Sequence, residues 1–81
     1  MVKRTAHLRA PADFGLAIQQ ARLARGLSQT ELAADVDVSQ STISAIEGGQ
    51  TTILVRRLLE LAEATGIELT ATWEDDDAPR R

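Results

Sequence analysis

Two helix start signals lie close together in the middle of this 81-residue sequence, and they restrict the fold more than any other feature. The first is a capping box: the Ser28 oxygen can accept from the Glu31 N–H, while the Glu31 carboxylate reaches back to the Ser28 N–H. The second is Ser39, which follows Val36 by three residues and can cap another helix. The sequence therefore predicts two short helices joined by a tight turn.

Two further helices flank this pair. Apolar residues at three- and four-residue spacing predict a first helix over about 11–25, and the helix after Ser39 is predicted over 40–47. Strong helix formers predict a fourth helix over 53–64. Because the aromatic residues are Phe14 and Trp73 alone, the core must be aliphatic, which favours packed helices over a sandwich. We therefore expect an all-α, four-helix domain.

The two ends of the chain follow different patterns. Residues 1–10 lack a helical period and are expected to form an extended arm before the domain of residues 11–66. Apolar and polar residues alternate over 67–73, which predicts a half-buried strand. Residues 74–81 are acidic and are expected to form a mobile tail, or else to contact a basic partner surface.

The predicted strand needs a partner, because a lone strand leaves backbone groups unpaired. Antiparallel pairing with its own copy across a two-fold axis would satisfy them, and we therefore expect a homodimer. The alternative is that residues 5–9 of the arm pair with the strand inside one chain; Trp73 likewise either anchors the interface or packs within its own subunit. The expected dimer-interface residues, buried against the fourth helices, are Ile67, Leu69, Ala71 and Trp73.

Composition excludes several classes of function. The chain has no cysteine and one histidine, which leaves no disulfide, no thiolate nucleophile and no usual zinc site. We expect no cofactor, no metal and no enzyme activity, since no nucleophile, base and oxyanion donors can be assembled. No apolar run is long enough to cross a membrane, so we expect a cytoplasmic protein without a membrane partner. The net charge is −3, of which the tail carries −2.

The second and third helices together make a helix-turn-helix core. Ile43 and Ile46 are expected to be buried on one side of the third helix. Short polar side chains on its other side can hydrogen-bond to base edges in the major groove, where glutamine can pair bidentately with adenine. The candidates for base readout are Gln40, Ser41 and Ser44, and the candidates for phosphate contacts at the helix starts are Gln29, Ser28, Ser39 and Thr42.

Residues 22–33, RLARGLSQTELA, and residues 38–49, VSQSTISAIEGG, resemble the Xre (Cro/cI-like) helix-turn-helix family. The resemblance extends over about 11–66 and implies a fold similar to that of lambda repressor. It implies that Arg22 and Glu47 form a buried ion pair between the first and third helices. It also implies that Gln29, Gln40, Ser41 and Ser44 contact DNA. Asp37 replaces the glycine usual in the turn, at a position expected to be left-handed.

Two segments outside this core, RAPADFG over 9–15 and GIELTATW over 66–73, resemble the HipB-like antitoxins. That resemblance implies a homodimer, joined partly through the C-terminal strand, that represses its own operon and neutralises a HipA-like kinase toxin encoded beside it. We therefore expect a sequence-specific repressor bound to an inverted-repeat operator in double-stranded DNA. The alternatives are a prophage-type or stand-alone Xre regulator, and a protein-interaction module that does not bind DNA.

Overall fold

The computed structural model describes residues 2–75, which form four helices and two strands. In chain order these are β1 (Val2–His7), α1 (Pro11–Ala24), α2 (Gln29–Asp35), α3 (Gln40–Glu47), α4 (Ile53–Thr65) and β2 (Thr70–Asp75). The four predicted helices are confirmed, with ends close to the expected ones. No helix among the described residues has the length and apolar character needed to cross a membrane.

Local hydrogen bonds set the helix ends. The Ser28 oxygen accepts from the Glu31 N–H at 3.0 Å, and the Glu31 carboxylate accepts from the Ser28 N–H at 2.8 Å. The Ser39 oxygen accepts from the Thr42 N–H at 3.1 Å. Asp37 has φ 59°, so the left-handed conformation predicted for the turn is confirmed. A short side chain that tolerates this conformation therefore connects α2 to α3.

The C-terminal strand pairs within the chain, and the expectation that it lacks an intrachain neighbour is wrong. β1 and β2 form a two-stranded antiparallel sheet in which Val2 lies opposite Asp75 and His7 opposite Thr70. The supposed arm is thus a strand, and the fold is not purely all-α. The physical reason is that each segment supplies the backbone partners that the other lacks.

The bounds of the strand also differ from those predicted. β2 begins at Thr70 rather than at 67, and it includes Glu74 and Asp75, which were expected in the tail. Asp75 accepts a hydrogen bond from the Arg4 guanidinium at 3.3 Å, which fastens the end of the sheet. Residues 76–81, the remainder of the predicted tail, lie outside the described residues.

The four residues expected at the dimer interface differ in how far they are buried within the single chain. Ala71 and Trp73 are half-buried on β2, which packs against α1. Trp73 lies beside a cleft shared with Ala21 and Arg25 of the same chain. Leu69 is half-buried, whereas Ile67 is 59% exposed. Pairing inside the chain gives this strand a partner along one edge, so a dimer is no longer required to supply one, although its outer edge has no partner among the described residues.

Small residues dominate the core, which lies where α1, α2 and α3 meet and extends along one side of α4. The buried hydrophobic residues among those described are Ala17, Ala33, Ile43, Leu59 and Ala62. Ile43 is buried as expected, but Ile46 remains 37% exposed and Val38 in the turn 41% exposed. With no large side chain fully buried among the described residues, little apolar surface stabilises the single chain.

Candidate nucleic-acid interface

The first turn of α3 presents polar side chains to solvent. Ser39 caps the helix, Ile43 is buried beneath it, and the residues between them point outward. The exposed polar residues of this surface, which we call the α3 face, are Ser39, Gln40, Ser41, Thr42 and Ser44. The α3 face therefore brings together all three predicted base-readout residues and two of the predicted phosphate contacts.

Hydroxyl groups at the start of α3 are hydrogen-bonded to one another. The Ser39 Oγ lies 2.9 Å from the Ser41 Oγ and 2.8 Å from the Thr42 Oγ1. Since each hydroxyl can both donate and accept, these contacts hold the side chains in place and leave capacity for a further partner. Ser44 lies one turn farther along α3 and is exposed.

Gln29 is held between two other side chains rather than extended toward solvent. Its Nε2 donates to the Glu47 Oε1 at 3.0 Å, and its Oε1 accepts from the Gln40 Nε2 at 2.6 Å. Gln29 is half-buried, whereas Gln40 is exposed. Gln29, which was expected to contact phosphate, thus orients Gln40, which was expected to read a base. Gln29 is itself held in place, because the Glu47 carboxylate accepts a hydrogen bond from its amide.

The Arg22–Glu47 ion pair underlies this contact. The Arg22 Nε donates to the Glu47 Oε2 at 2.7 Å and its Nη2 to the Oε1 at 3.0 Å, a bidentate geometry between α1 and α3. Nη1 donates to the Leu27 carbonyl at 2.8 Å. The side chains of Arg22 and Glu47 are 8% and 3% exposed. The two side chains therefore lie as the family resemblance implies.

Hydrogen bonds between the charged forms of Arg22 and Glu47 shift the pKa values of both groups. The bonds from Arg22 lower the pKa of Glu47, burial opposes that shift, and the Gln29 amide lowers the pKa further. The pKa of Arg22 is raised, first by its bonds to Glu47. Because both groups stay ionised at neutral pH, the anchor beneath Gln29 is a fixed carboxylate.

Sequence reasoning missed Gly15, which sets how closely α1 approaches α3. A Cβ at this position would lie 2.7 Å from the Glu47 carbonyl oxygen, and the Ile46 carbonyl would also clash with it. The signal was present, since an isolated glycine inside a helix is unfavourable unless close packing requires it. Gly15 therefore helps to place the end of α3, where Glu47 meets Arg22.

The charge around the α3 face is unfavourable for a polyanion. Residues 27–50 contain Glu31, Asp35, Asp37 and Glu47, and no lysine or arginine. Any contact of this face with phosphates must therefore come from hydroxyls, amides and helix N–H groups. Within residues 2–75, no three histidine or carboxylate groups are gathered in a way that could hold a metal ion.

Comparisons with known proteins agree with this geometry. A family model described as helix-turn-helix matches residues 18–71, which covers more than half of the chain and includes α2, α3 and α4. No curated protein and no solved structure matches the chain. The chain belongs to the helix-turn-helix family of Xre/Cro-like DNA-binding domains.

Proposed function

We propose that this chain is a sequence-specific transcriptional repressor that binds an inverted-repeat operator as a homodimer. The observation that carries the proposal is Gln40, exposed on the first turn of α3 and oriented by Gln29. A side chain held in one conformation loses less entropy when it binds a base edge. Membership of a DNA-binding family supports the same interpretation.

The chemistry of Gln40 suits an adenine. One amide N–H is used on Gln29, and among the described residues its Oε1 and second N–H have no other partner. Those two groups are the acceptor and donor that a bidentate contact with adenine N6 and N7 requires. Ser41 and Ser44 add hydroxyls for neighbouring bases, while Ser28, Gln29, Ser39 and Thr42 lie at helix starts suited to phosphates.

The test is to replace Gln40 with Ala and measure binding to the DNA upstream of the gene by fluorescence anisotropy. Specific binding should weaken by about 1–3 kcal/mol, with relaxed preference at one base pair and almost no change on random DNA. Gln20→Ala is the matched control, because this glutamine is also exposed but lies on α1 and not on α3. Equal losses on operator and random DNA would show that Gln40 contacts only the backbone.

Two-fold symmetry follows from the operator proposed. Two copies of α3 placed in successive major grooves lie about 34 Å apart, so each copy reads one half-site. A protein-interaction module that does not bind DNA is the alternative. Salt-sensitive binding to the upstream region, tighter than to random DNA, supports the repressor, whereas no such binding at either of two salt concentrations supports the module.

We further propose that the repressor is a HipB-like antitoxin whose partner is a HipA-like kinase toxin. The support is the resemblance of residues 9–15 and 66–73 to that subgroup. The product of a kinase-like neighbouring gene should copurify with the full chain and lose kinase activity when bound. A neighbour of another class, or a kinase that neither binds nor is inhibited, would leave a prophage-type or stand-alone regulator.

A further inference from the structure

The basic residues of this chain are concentrated before the helix pair that carries the α3 face. Residues 1–25 contain five lysine or arginine residues and one acidic residue, whereas residues 27–50 contain four acidic residues and no basic one. Arg22 forms the buried ion pair with Glu47. Arg4 is paired with Asp75 at the end of the sheet. The three cations of this segment that remain are Lys3, Arg9 and Arg25.

Two of these cations, Lys3 and Arg25, line one cleft at the C-terminal end of α1. The cleft has a volume of about 390 Å³, and its lining also includes Ala21 of α1 and the sheet residues Trp73 and Glu74. Ala21 and Arg25 are four residues apart, so they lie on one side of the helix. Lys3 and Arg25 are both exposed. Neither charged group has an ion-pair partner among residues 2–75.

Trp73 contributes a hydrogen-bond donor that the described chain leaves unused. Its Nε1 is buried and has no hydrogen-bond partner among residues 2–75. Nearly all buried polar groups in folded proteins have a partner, and a bound ion or water is a common explanation for an exception. Lys3 and Arg25 are long, exposed side chains, so they can move as a ligand oxygen approaches this N–H. The cleft therefore combines an unused donor with two unpaired cations, a set of groups suited to an oxyanion.

The net charge of the lining favours one kind of oxyanion. Glu74 is the one carboxylate in the cleft, and it lies opposite Lys3 in the sheet without forming an ion pair with it in the described chain. Two cations less one carboxylate leave a net charge of +1. That charge matches the single negative charge of a phosphodiester better than the charge of nearly −2 on a terminal phosphate. Arginine and lysine are also the side chains that proteins use most to bind phosphate groups.

The position of the cleft brings such a phosphate close to the α3 face. Arg25 precedes Ser28, the N-cap of α2, by three residues. The next residue, Gln29, bonds to Gln40 of the α3 face. The four residues of chain from 25 to 29 span at most about 14 Å, which is the rise of about four base pairs in a duplex. One duplex in contact with the α3 face is therefore long enough to reach the cleft as well.

We propose that the cleft between α1 and the sheet binds a backbone phosphate of DNA through Lys3, Arg25 and the Trp73 indole N–H. The contact supplies the cationic groups that the α3 face lacks. It reads no sequence, because phosphate contacts position a protein without distinguishing bases. It rests on the DNA binding of the proposed function, but it does not depend on base readout or on the oligomeric state.

The first experiment uses the one tryptophan of the chain, whose indole N–H gives a single ¹H–¹⁵N cross-peak in an NMR spectrum. When the wild-type chain binds the DNA upstream of the gene at low salt, this cross-peak should shift. The Ser44 backbone amide reports separately on the α3 face. A shift of the Ser44 amide alone would overturn the phosphate site and leave the operator proposal intact. A shift of the indole alone would support the site and count against the operator proposal, and no shift of either would overturn both.

The second experiment measures how binding depends on salt. Lys3→Gln with Arg25→Gln should weaken binding to upstream and random DNA alike, by about 10-fold at low salt, and should make the slope of log K against log salt less negative by about 1. Arg9→Gln with Arg57→Gln is the matched control. It also removes two exposed cations, but Arg9 precedes the other end of α1 and Arg57 lies on α4. An equal change of slope in the control, or no change in the cleft variant, would show that the cleft does not bind a phosphate.

Discussion

Among single side chains, Glu47 connects the core to the α3 face. It accepts from Arg22 on one side and from Gln29 on the other, and Gln29 in turn accepts from Gln40. A buried carboxylate in such a position stabilises the fold only while its partners remain, since an unpaired buried charge is costly. The same residue thus affects both stability and the orientation of the proposed base-reading glutamine.

Arg22→Ala should lower the free energy of unfolding by about 3–5 kcal/mol, because it leaves Glu47 buried without its cation. Arg22→Met combined with Glu47→Leu should recover only part of this loss. The Leu27 carbonyl and the Gln29 amide lose these partners in that variant, since they bond to the two replaced side chains. Urea denaturation of Arg22→Met, Glu47→Leu and their double variant measures the cycle; purely additive losses would mean the two side chains do not interact.

The Arg22–Glu47 pair should also make the free energy of unfolding depend on pH in the acid range. Because the folded-state pKa of Glu47 is lowered, its contribution to stability is fully present above the ordinary glutamate pKa, about 4.3, and is lost as the pH falls toward the folded-state value. The free energy of unfolding should therefore fall with acidification below that point, and less steeply in the double variant that combines Arg22→Met with Glu47→Leu. Backbone hydrogen bonds also lower the pKa of Asp13 and Glu31, so some dependence should remain.

Among the elements, the contact between α1 and α3 leaves no room for a side chain at Gly15. Gly15→Ala should lower the free energy of unfolding by about 1–3 kcal/mol, because the helices must separate to admit a methyl group. Gly48→Ala is the matched control: φ there is −80°, and the added Cβ would lie 3.3 Å from its nearest atom, the Ser44 carbonyl oxygen. If both variants unfold at the same urea concentration, the close approach at Gly15 is not what holds these helices.

Backbone N–H groups alternate in direction along β2, so proline should have different effects at neighbouring positions of this strand. The Leu8 N–H donates to the Leu69 carbonyl, so in this antiparallel register the Ala6–Ala71 pair is hydrogen-bonded while Thr5 and Thr72 point their N–H groups outward. Ala71→Pro should lower the free energy of unfolding by more than about 1 kcal/mol and shift the emission of Trp73, the one tryptophan, to longer wavelength.

Thr72→Pro is the control for that strand, since it removes an N–H on the outer edge. It should perturb the fluorescence of Trp73 less than Ala71→Pro does. Sedimentation of both variants adds a second readout. If Thr72→Pro alone yielded monomers, the outer edge of β2 would be pairing with another copy in addition to the pairing with β1 inside the chain.

For the whole molecule, the distribution of charge limits how DNA is bound. Asp35 and Asp37 are exposed in the segment 27–50, which has no basic residue. Asp35→Asn with Asp37→Asn should strengthen binding to operator and random DNA alike, by about 3- to 10-fold at low salt and less at high salt. Asparagine also tolerates the left-handed conformation at position 37. Glu68→Gln is the control; a gain confined to the operator would contradict this electrostatic account.

The sequence by itself determined the helices and their ends. The Ser28 and Ser39 caps and the left-handed turn at Asp37 all depend on contacts within four residues, so local patterns suffice to predict them. The polar first turn of α3 could also be predicted from the sequence, because helical periodicity places Gln40 and Ile43 on different sides of the helix. The Arg22–Glu47 pair, 25 residues apart, was reached through family resemblance and not through local pattern.

Only the tertiary structure decided the partners of groups that no local rule could match. β2 could have paired with a second copy or with the N-terminal segment, and the choice depends on two segments about 70 residues apart lying on the same side of α1. Gln29 bonds to Gln40 and Glu47 because α2 and α3 cross there, and Gly15 is required because two carbonyls of α3 lie against α1. Such contacts form only when helices pack together, and the spacing of residues along one helix does not predict which other helix it will contact.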